Sequence, residues 1–188
     1  MKPTPPSPWN PARLDARRFA EAGGHLQGEC AASELTRLVA DLHPEGLMGA
    51  TASVAWQADG ELRGAAQAAA SAVWLHLQAQ ATVPLTCQRC LGPVQTPLVV
   101  DRWFRFVATE AQAETEDDDA EEDLLALEPR PDLMAVLEDE LLMALPLVPM
   151  HEVCPQTLPS SAGTLPDESE GMEPRRENPF QALSKLKK

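Results

Sequence analysis

The chain has 188 residues, of which 44% are hydrophobic and only 4% aromatic, and it contains no tyrosine. Its 15 basic residues stand against 29 acidic ones, which gives a formal net charge of −14 at pH 7. This charge excludes a basic protein that coats nucleic acid, and the length predicts one domain with some tail left over.

The sequence also argues against membrane insertion and secretion. The most apolar window, residues 141–150, is too short to span a bilayer and holds two prolines. The first eleven residues contain five prolines and lack the apolar core of a secretory signal. Four cysteines in a chain of this length are too few for a disulfide scaffold and suit a reducing compartment. We therefore expect a cytoplasmic protein that does not contact a membrane.

Two helices are predicted near the start of the chain. Asn10, followed by a proline, is a helix-start signal, and a glycine pair at residues 23–24 should end that helix. Residues 25–31 are predicted as a single strand. Ser33 should cap the second helix, whose apolar residues recur on one face and are Leu35, Leu38, Val39 and Leu42.

The middle of the chain alternates apolar and polar residues with the period of two that is typical of strands. Residues 48–58 form the first such run, and Asp59-Gly60 after it predicts a hairpin turn. A longer run covers residues 73–85, and residues 98–107 supply its partner strand. The Cys-x-x-Cys pair between them should therefore lie at the tip of a long hairpin.

An acidic segment separates this hairpin from the last strand and helix. Residues 110–123 contain nine acidic side chains and no basic one, so we expect a solvated loop. Residues 124–127 are predicted as an edge strand, and a helix should begin at Pro131. The apolar residues of that helix share one face and are Leu133, Met134, Leu137, Leu141, Ala144 and Leu145. Glu138-Asp139-Glu140 is interpreted as a solvated helix face, because consecutive helical side chains do not converge on one substrate atom.

These elements predict an α+β fold, in which an antiparallel β-sheet, a meander with a long hairpin, packs against two or three helices. We expect residues 1–154 to form this single domain, with residues 1–9 flexible. Residues 155–188 are rich in Pro, Ser, Glu and Gly and predict a flexible, mostly disordered tail that ends in a short amphipathic basic helix.

Four residues have the spacing of a zinc site. Cys87 and Cys90 form one half-site, His151 and Cys154 form a second, and each spacing lets one turn offer two ligands to a tetrahedral zinc. The alternatives are turn cysteines beside an exposed histidine, or a thioredoxin-like redox pair. The Gly-Pro that follows the cysteines disfavours redox catalysis, because no helix can start there. Cys30 is interpreted as a small buried hydrophobe. A structural zinc is thus the one cofactor for which the sequence offers ligands.

A small basic and aromatic patch lies on and beside the hairpin, where arginines alternate with Trp103, Phe104 and Phe106. Such groups can contact phosphates and stack on bases, although strands also mix core aromatics with exposed arginines. Further cations lie at the end of the chain. The candidate RNA contacts are Arg89, Arg102, Arg105, Lys185, Lys187 and Lys188.

Three segments stand out by their order in the chain, and these are VPLTCQRCLGPV, LEDELLMALPLVPMH and ENPFQALSKLKK. In this order and at these separations they resemble the bacterial YceD family of large ribosomal RNA subunit accumulation proteins. The resemblance implies a cytoplasmic, non-enzymatic factor that supports synthesis, processing or accumulation of 23S ribosomal RNA. It implies precursor 23S rRNA or the early large subunit as partner, and no small-molecule substrate. The family positions in this chain are Cys87, Arg89, Cys90, Leu91, Glu138, Asp139, Glu140, Leu145, Pro146, His151, Asn178, Pro179 and Phe180.

Two other classes of function follow from the residues themselves. The acidic segment could hold a basic ribosomal protein or assembly factor by charge complementarity, or it could serve only solubility. An enzyme would need a convergent acid and base, and the sequence has no nucleotide-binding or hydrolase motif. We therefore expect binding rather than catalysis.

Overall fold

The computed structural model describes residues 9–47, 52–64 and 71–155, which form a five-stranded sheet with helices. Its strands are β1 (His25–Ala31), β2 (Ser53–Arg63), β3 (Ala72–Thr86), β4 (Pro93–Thr109) and β5 (Asp123–Glu128). Its helices are α1 (Ala16–Glu21), α2 (Thr36–Asp41), α3 (Pro44–Leu47), α4 (Glu110–Glu116) and α5 (Leu133–Met143). The strand order is 1-2-3-4-5, in which the first four strands are antiparallel and β5 lies parallel to β4. This architecture confirms the α+β prediction.

The long hairpin is the element that the alternating pattern predicted best. β3 and β4 pair from Val73 opposite Phe106 to Thr86 opposite Pro93, so residues 87–92 are its tip. Side chains of even parity on β4 and odd parity on β3 enter the core, among them Leu75, Leu77 and Phe104. The cysteine pair therefore lies at the tip of a rigid two-stranded arm.

The predicted turn at Asp59-Gly60 is wrong. Strand β2 continues through both residues, which pair with His76 and Leu75 of β3. Gly60 is required by packing instead, since a Cβ there would lie 2.5 Å from the ring of Phe19 on α1. A tertiary contact thus explains the glycine that the local sequence suggested as a turn residue.

The acidic segment is not the solvated loop that its charge predicted. Its first half is α4, which Thr109 caps by accepting a hydrogen bond from the Gln112 N–H, and Ala113 of this helix is buried. The segment supplies the crossover that a parallel β4–β5 pair needs. The edge strand predicted after it is confirmed as β5.

The helix starts differ from the predicted ones. Asn10 caps only a 3-10 turn, and α1 begins after Asp15, which accepts from the Arg18 N–H. Ser33 caps no helix, because a 3-10 turn precedes α2. Helix α5 begins at Leu133 rather than at the predicted Pro131, and Asp132 caps it.

The core lies between one face of the sheet and the helices α1, α2 and α5. Its fully buried side chains are mostly leucines and include Leu14, Phe19, Leu38, Leu98, Leu137 and Leu141. Cys30 is half-exposed rather than buried, because it lies on the edge strand β1. Among the described residues no helix is long and apolar enough to cross a bilayer. The predicted tail and its basic helix lie outside the described residues, together with Lys185, Lys187, Lys188, Asn178, Pro179 and Phe180.

Candidate metal centre

The hairpin tip, residues 87–92, is a tight turn that we call the knuckle, and the segment after α5 contacts it. The Cys87 N–H donates to the Gly92 carbonyl, and the Leu91 N–H donates to the Cys87 carbonyl, each at 2.9 Å. The Gln88 N–H then donates to the carbonyl of Pro149 at 2.9 Å. This last bond joins the knuckle to the segment that carries the second predicted half-site.

The structure brings the two predicted half-sites together. The three thiol sulfurs and a ring nitrogen of His151 all lie within 4.8 Å of one another. The Sγ atoms of Cys87 and Cys154 are 3.9 Å apart, and Cys90 Sγ is 3.4 Å from His151 Nδ1. A tetrahedral zinc with bonds of about 2.3 Å to sulfur and about 2.0 Å to nitrogen requires separations of about 3.8 and about 3.5 Å. The donor set and its spacing therefore fit a metal ion of this kind.

The orientation of His151 is fixed by its second ring nitrogen. Nε2 lies 3.0 Å from the carbonyl oxygen of Pro93, which can only accept, so Nε2 carries the proton. Nδ1 is then the unprotonated nitrogen and faces the Cys90 sulfur. A hydrogen bond of this type sets the tautomer of metal-binding histidines.

The surroundings of Cys87 and Cys154 shift the pKa values of their thiols in opposite directions. The backbone N–H of Cys90, helped by those of His151 and Arg89, outweighs burial and lowers the pKa of the Cys87 thiol to about 5. Burial and the neighbouring sulfurs of Cys90 and Cys87 raise the pKa of the Cys154 thiol to about 11. A pKa of about 5 makes Cys87 a thiolate at neutral pH, whereas a metal ion would have to displace the Cys154 proton.

His43 hydrogen-bonds to the backbone of the knuckle, a role that the sequence did not predict. It is buried, its Nδ1 accepts from the Glu45 N–H at 3.2 Å, and its Nε2–H therefore donates to the Leu91 carbonyl at 3.2 Å. The backbone N–H of His43 donates to the carbonyl of Pro84 at 2.8 Å. No local pattern could have revealed this role, since Leu91 is far from His43 in the sequence.

A redox interpretation fits this geometry less well than a ligand one. Cys87 is buried, and it lies in a turn rather than at the start of a helix. Reactive thiolates are usually accessible, whereas buried cysteines are inert or bind metals. The burial of Cys87 therefore favours a metal ligand over an attacking thiol.

A family model described as "Large ribosomal RNA subunit accumulation protein YceD" matches residues 75–187, a range that contains the whole knuckle and all four candidate ligands. The chain belongs to this family. A relative of that name from Haemophilus influenzae (strain ATCC 51907 / DSM 11121 / KW20 / Rd) is 37% identical over 115 residues. The alignment covers 57% of this chain and 62% of the relative. No solved structure matches the chain. The family resemblance of the three sequence segments is confirmed.

The acidic positions that the YceD resemblance singled out are ion-paired. Glu138 and Glu140 are buried, at 7% and 9% exposure, so the predicted solvated face is wrong for both, whereas Asp139 is exposed. Glu138 accepts from the N–H groups of Arg37 and Leu38, at 2.7 and 3.2 Å, and from Arg37 Nε at 3.0 Å. It therefore supplies the cap that α2 lacks locally.

The contacts of Glu138 stabilise its charged form, whereas burial raises the pKa of the Glu140 carboxyl. Burial raises the pKa of Glu138, but the backbone N–H groups of α2 and the Arg37 guanidinium outweigh it and hold that pKa below its usual value. Asp139 pairs with the same guanidinium, and Glu140 lies 3.4 Å from Arg102 Nε. All three carboxylates thus bind arginines and hold α5 in place.

The candidate RNA-contact arginines differ in their surroundings. Arg102 pairs with Asp123 and Glu140, and Arg105 pairs with Glu122 and with Glu116, the latter at 3.1 Å. These two lie on opposite faces of β4. Arg89 is exposed at the knuckle, where its Nη2 lies 3.5 Å from the His151 carbonyl. Among the hydrogen bonds described for these three arginines, Arg89 alone has only a backbone oxygen as its partner.

Proposed function

We propose that this YceD-family protein supports accumulation of 23S ribosomal RNA in the cytoplasm by binding precursor rRNA or the early large subunit, without catalysis. The support is family membership, together with a matched region that includes the whole knuckle. The acidic motif that an enzyme would need for acid and base chemistry is committed to Arg37 and Arg102. Binding is therefore the activity that the arrangement of side chains favours.

The observation that carries the proposal is the backbone of Leu91. This residue has φ 60° and leaves 69% of its surface exposed. A leucine in the left-handed region costs about 1–2 kcal/mol, which a glycine would avoid. A strained position that still carries an exposed apolar side chain favours a contact role for that side chain.

Further exposed apolar side chains lie on the segment that returns to the knuckle. Leu147, Val148, Met150 and Val153 follow α5 and are 100%, 56%, 50% and 84% exposed. Together with Leu91 and Arg89 they define the knuckle surface. A cluster of exposed apolar side chains is typical of an interaction site.

The overall charge restricts how this surface would bind RNA. A net charge of −14 opposes broad, nonspecific attraction to phosphates. Arg89 is placed to make a local phosphate contact, whereas Arg102 and Arg105 would have to exchange carboxylate partners first. We propose that a zinc ion held by Cys87, Cys90, His151 and Cys154 fixes the knuckle that presents Arg89 and Leu91.

A second role, the holding of a basic ribosomal protein or assembly factor, is favoured by the carboxylates that follow Arg105. Glu122 and Glu116 neutralise that arginine, but the acidic residues between and before them are exposed, namely Glu110, Glu114, Asp117, Asp118, Asp119 and Glu121. Such a surface would capture a basic partner quickly and in a salt-sensitive way.

The proposed function is tested by depleting the protein in its source bacterium and measuring the ratio of 23S to 16S rRNA. We expect the ratio to fall, and restoration of the wild-type chain but not of the Cys90→Ser variant should correct it. A Cys30→Ser variant is the matched control and should behave as wild type. An unchanged ratio after depletion would contradict the proposal.

A further inference from the structure

The face of the sheet opposite the core carries a polar groove across β1 to β4. The groove has a volume of about 610 Å³, and the side chains that reach it from this face include Gln27, Glu29, Gln57, Gln78, Gln80 and Asp101. All of them are exposed or half-exposed. The described part of the chain therefore leaves this groove open to solvent.

Two tryptophans lie beside the groove. Trp74 and Trp103 project from neighbouring strands on this polar face, are half-buried, and have ring centroids 6.5 Å apart. The guanidinium of Arg63 lies over both rings, 4.4 Å from the centroid of Trp74 and 3.9 Å from that of Trp103. Stacking of this kind is a cation–π interaction. The tryptophan pair is thus a guanidinium site that an arginine of the same chain fills.

A hydrogen-bonded chain holds this site in place. The rings of His76 and Trp103 stack with centroids 4.1 Å apart and planes within 3°. His76 Nε2 lies 2.6 Å from Asp101 Oδ1, and Gln78 donates to the other oxygen of Asp101 at 3.1 Å. Gln57 in turn donates to Gln78. A site fixed in this way loses little conformational entropy when a ligand binds.

The charges around the tryptophans favour a cation over a phosphate. Arg63 is paired with Glu61, and Arg105 on the same face is paired with two carboxylates. The other acidic groups on this face of β1 to β4 are Glu29, Asp59 and Asp101. These carboxylates would repel the phosphates of RNA and attract a basic ligand.

We propose that this groove binds an extended, arginine-bearing segment of a basic protein, whose guanidinium replaces that of Arg63 between the two tryptophans. The proposal rests on the second role described above and assigns that role a surface and a chemistry. Arg63 is 42% exposed in its side chain, so it can leave the rings without disturbing the core. Glutamine amides along the groove are suited to hydrogen-bond the backbone of the incoming segment.

The test is a binding titration of the full chain with a short peptide of alternating arginine and glycine. Arg63→Ala removes the side chain that competes with the peptide arginine, so it should tighten binding. Trp103→Leu should weaken binding by about tenfold, because about 1.4 kcal/mol of cation–π energy is lost. Asp101→Asn should also weaken binding, more than the matched change Asp118→Asn on the exposed acidic segment. Circular dichroism should show that each variant is folded.

Several outcomes would overturn the proposal. Equal affinity of Arg63→Ala and wild type would mean that Arg63 does not compete for the site. Equal binding of a matched peptide of alternating lysine and glycine would exclude a guanidinium site, and tighter binding of single-stranded oligouridylate would assign the groove to RNA. If the peptide binds only through the acidic segment, the groove proposal fails and the second role stands. If no basic peptide binds, both fail.

Discussion

The carbonyl of Pro93 accepts the Nε2–H of His151 at 3.0 Å, so that the hairpin itself turns a nitrogen of the returning segment toward the cysteine sulfurs. This one bond links the first residue of β4 to a residue that lies beyond α5. The knuckle and the returning segment therefore form one unit, in which the ligand geometry depends on both.

The metal centre predicts that the full chain, purified without chelators, contains about one zinc ion per molecule. Cys154→Ser should lower that content strongly, since three ligands bind zinc much less tightly than four. Chelation should lower the melting temperature, by about 2–4 °C for each kcal/mol of stabilisation lost. Metal analysis and thermal unfolding measure both effects. Cys30→Ser is the control and should retain its zinc, and a metal-free wild type would refute the site.

Glu138 predicts a pH-dependent contribution to stability. Loss of its charged hydrogen bonds in Glu138→Gln should reduce the free energy of unfolding by about 2 kcal/mol at neutral pH. Its folded-state pKa lies below its unfolded value, so the contribution is fully present above the unfolded pKa and is lost as the pH falls through the folded-state pKa. Denaturant unfolding at several pH values should show the difference between variant and wild type shrinking in acid.

The control for this experiment is Glu34→Gln, which removes an exposed carboxylate near α2. It should change stability little at any pH. A Glu138→Gln variant as stable as Glu34→Gln would show that the α2 cap contributes nothing.

Leu91 predicts opposite effects on stability and on binding. Leu91→Gly should leave the free energy of unfolding unchanged or raise it by up to about 1 kcal/mol, because relief of the left-handed backbone exceeds the entropy cost of glycine. The same variant should associate less with large-subunit precursors. Leu91→Ala keeps the strained backbone and should weaken association without any gain in stability. Unfolding curves together with gradient sedimentation distinguish these effects, and full association of both variants would remove Leu91 from the contact surface.

The sequence predicted the hairpin and the two candidate half-sites because each depends on local spacing. Alternation along β3 reports burial directly, and a ligand pair three residues apart needs only one turn. The interpretation of Glu138 and of Gly60 failed because their partners, Arg37 and Phe19, are distant in the sequence. Tertiary contacts of this kind leave no local pattern.

The prediction for the acidic segment was wrong for a related reason. Its charge predicted a solvated loop, but a crossover between parallel strands needs a connection that packs on the sheet. Buried Ala113 and the partners of Arg105, Glu116 and Glu122, supply that packing while the remaining carboxylates face solvent. Composition alone could not separate these two sets of acidic residues.

The central claim, that the knuckle surface contacts the large subunit or its precursor RNA, is tested most directly by sedimentation of the tagged full chain in cell lysates. We expect wild type to sediment with large-subunit precursors, and Arg89→Ala to remain near the top of the gradient. Arg17→Ala, which removes an exposed arginine of α1, should sediment as wild type. If wild type is absent from the precursor fractions, or if Arg89→Ala sediments with them as fully as wild type, the claim is wrong.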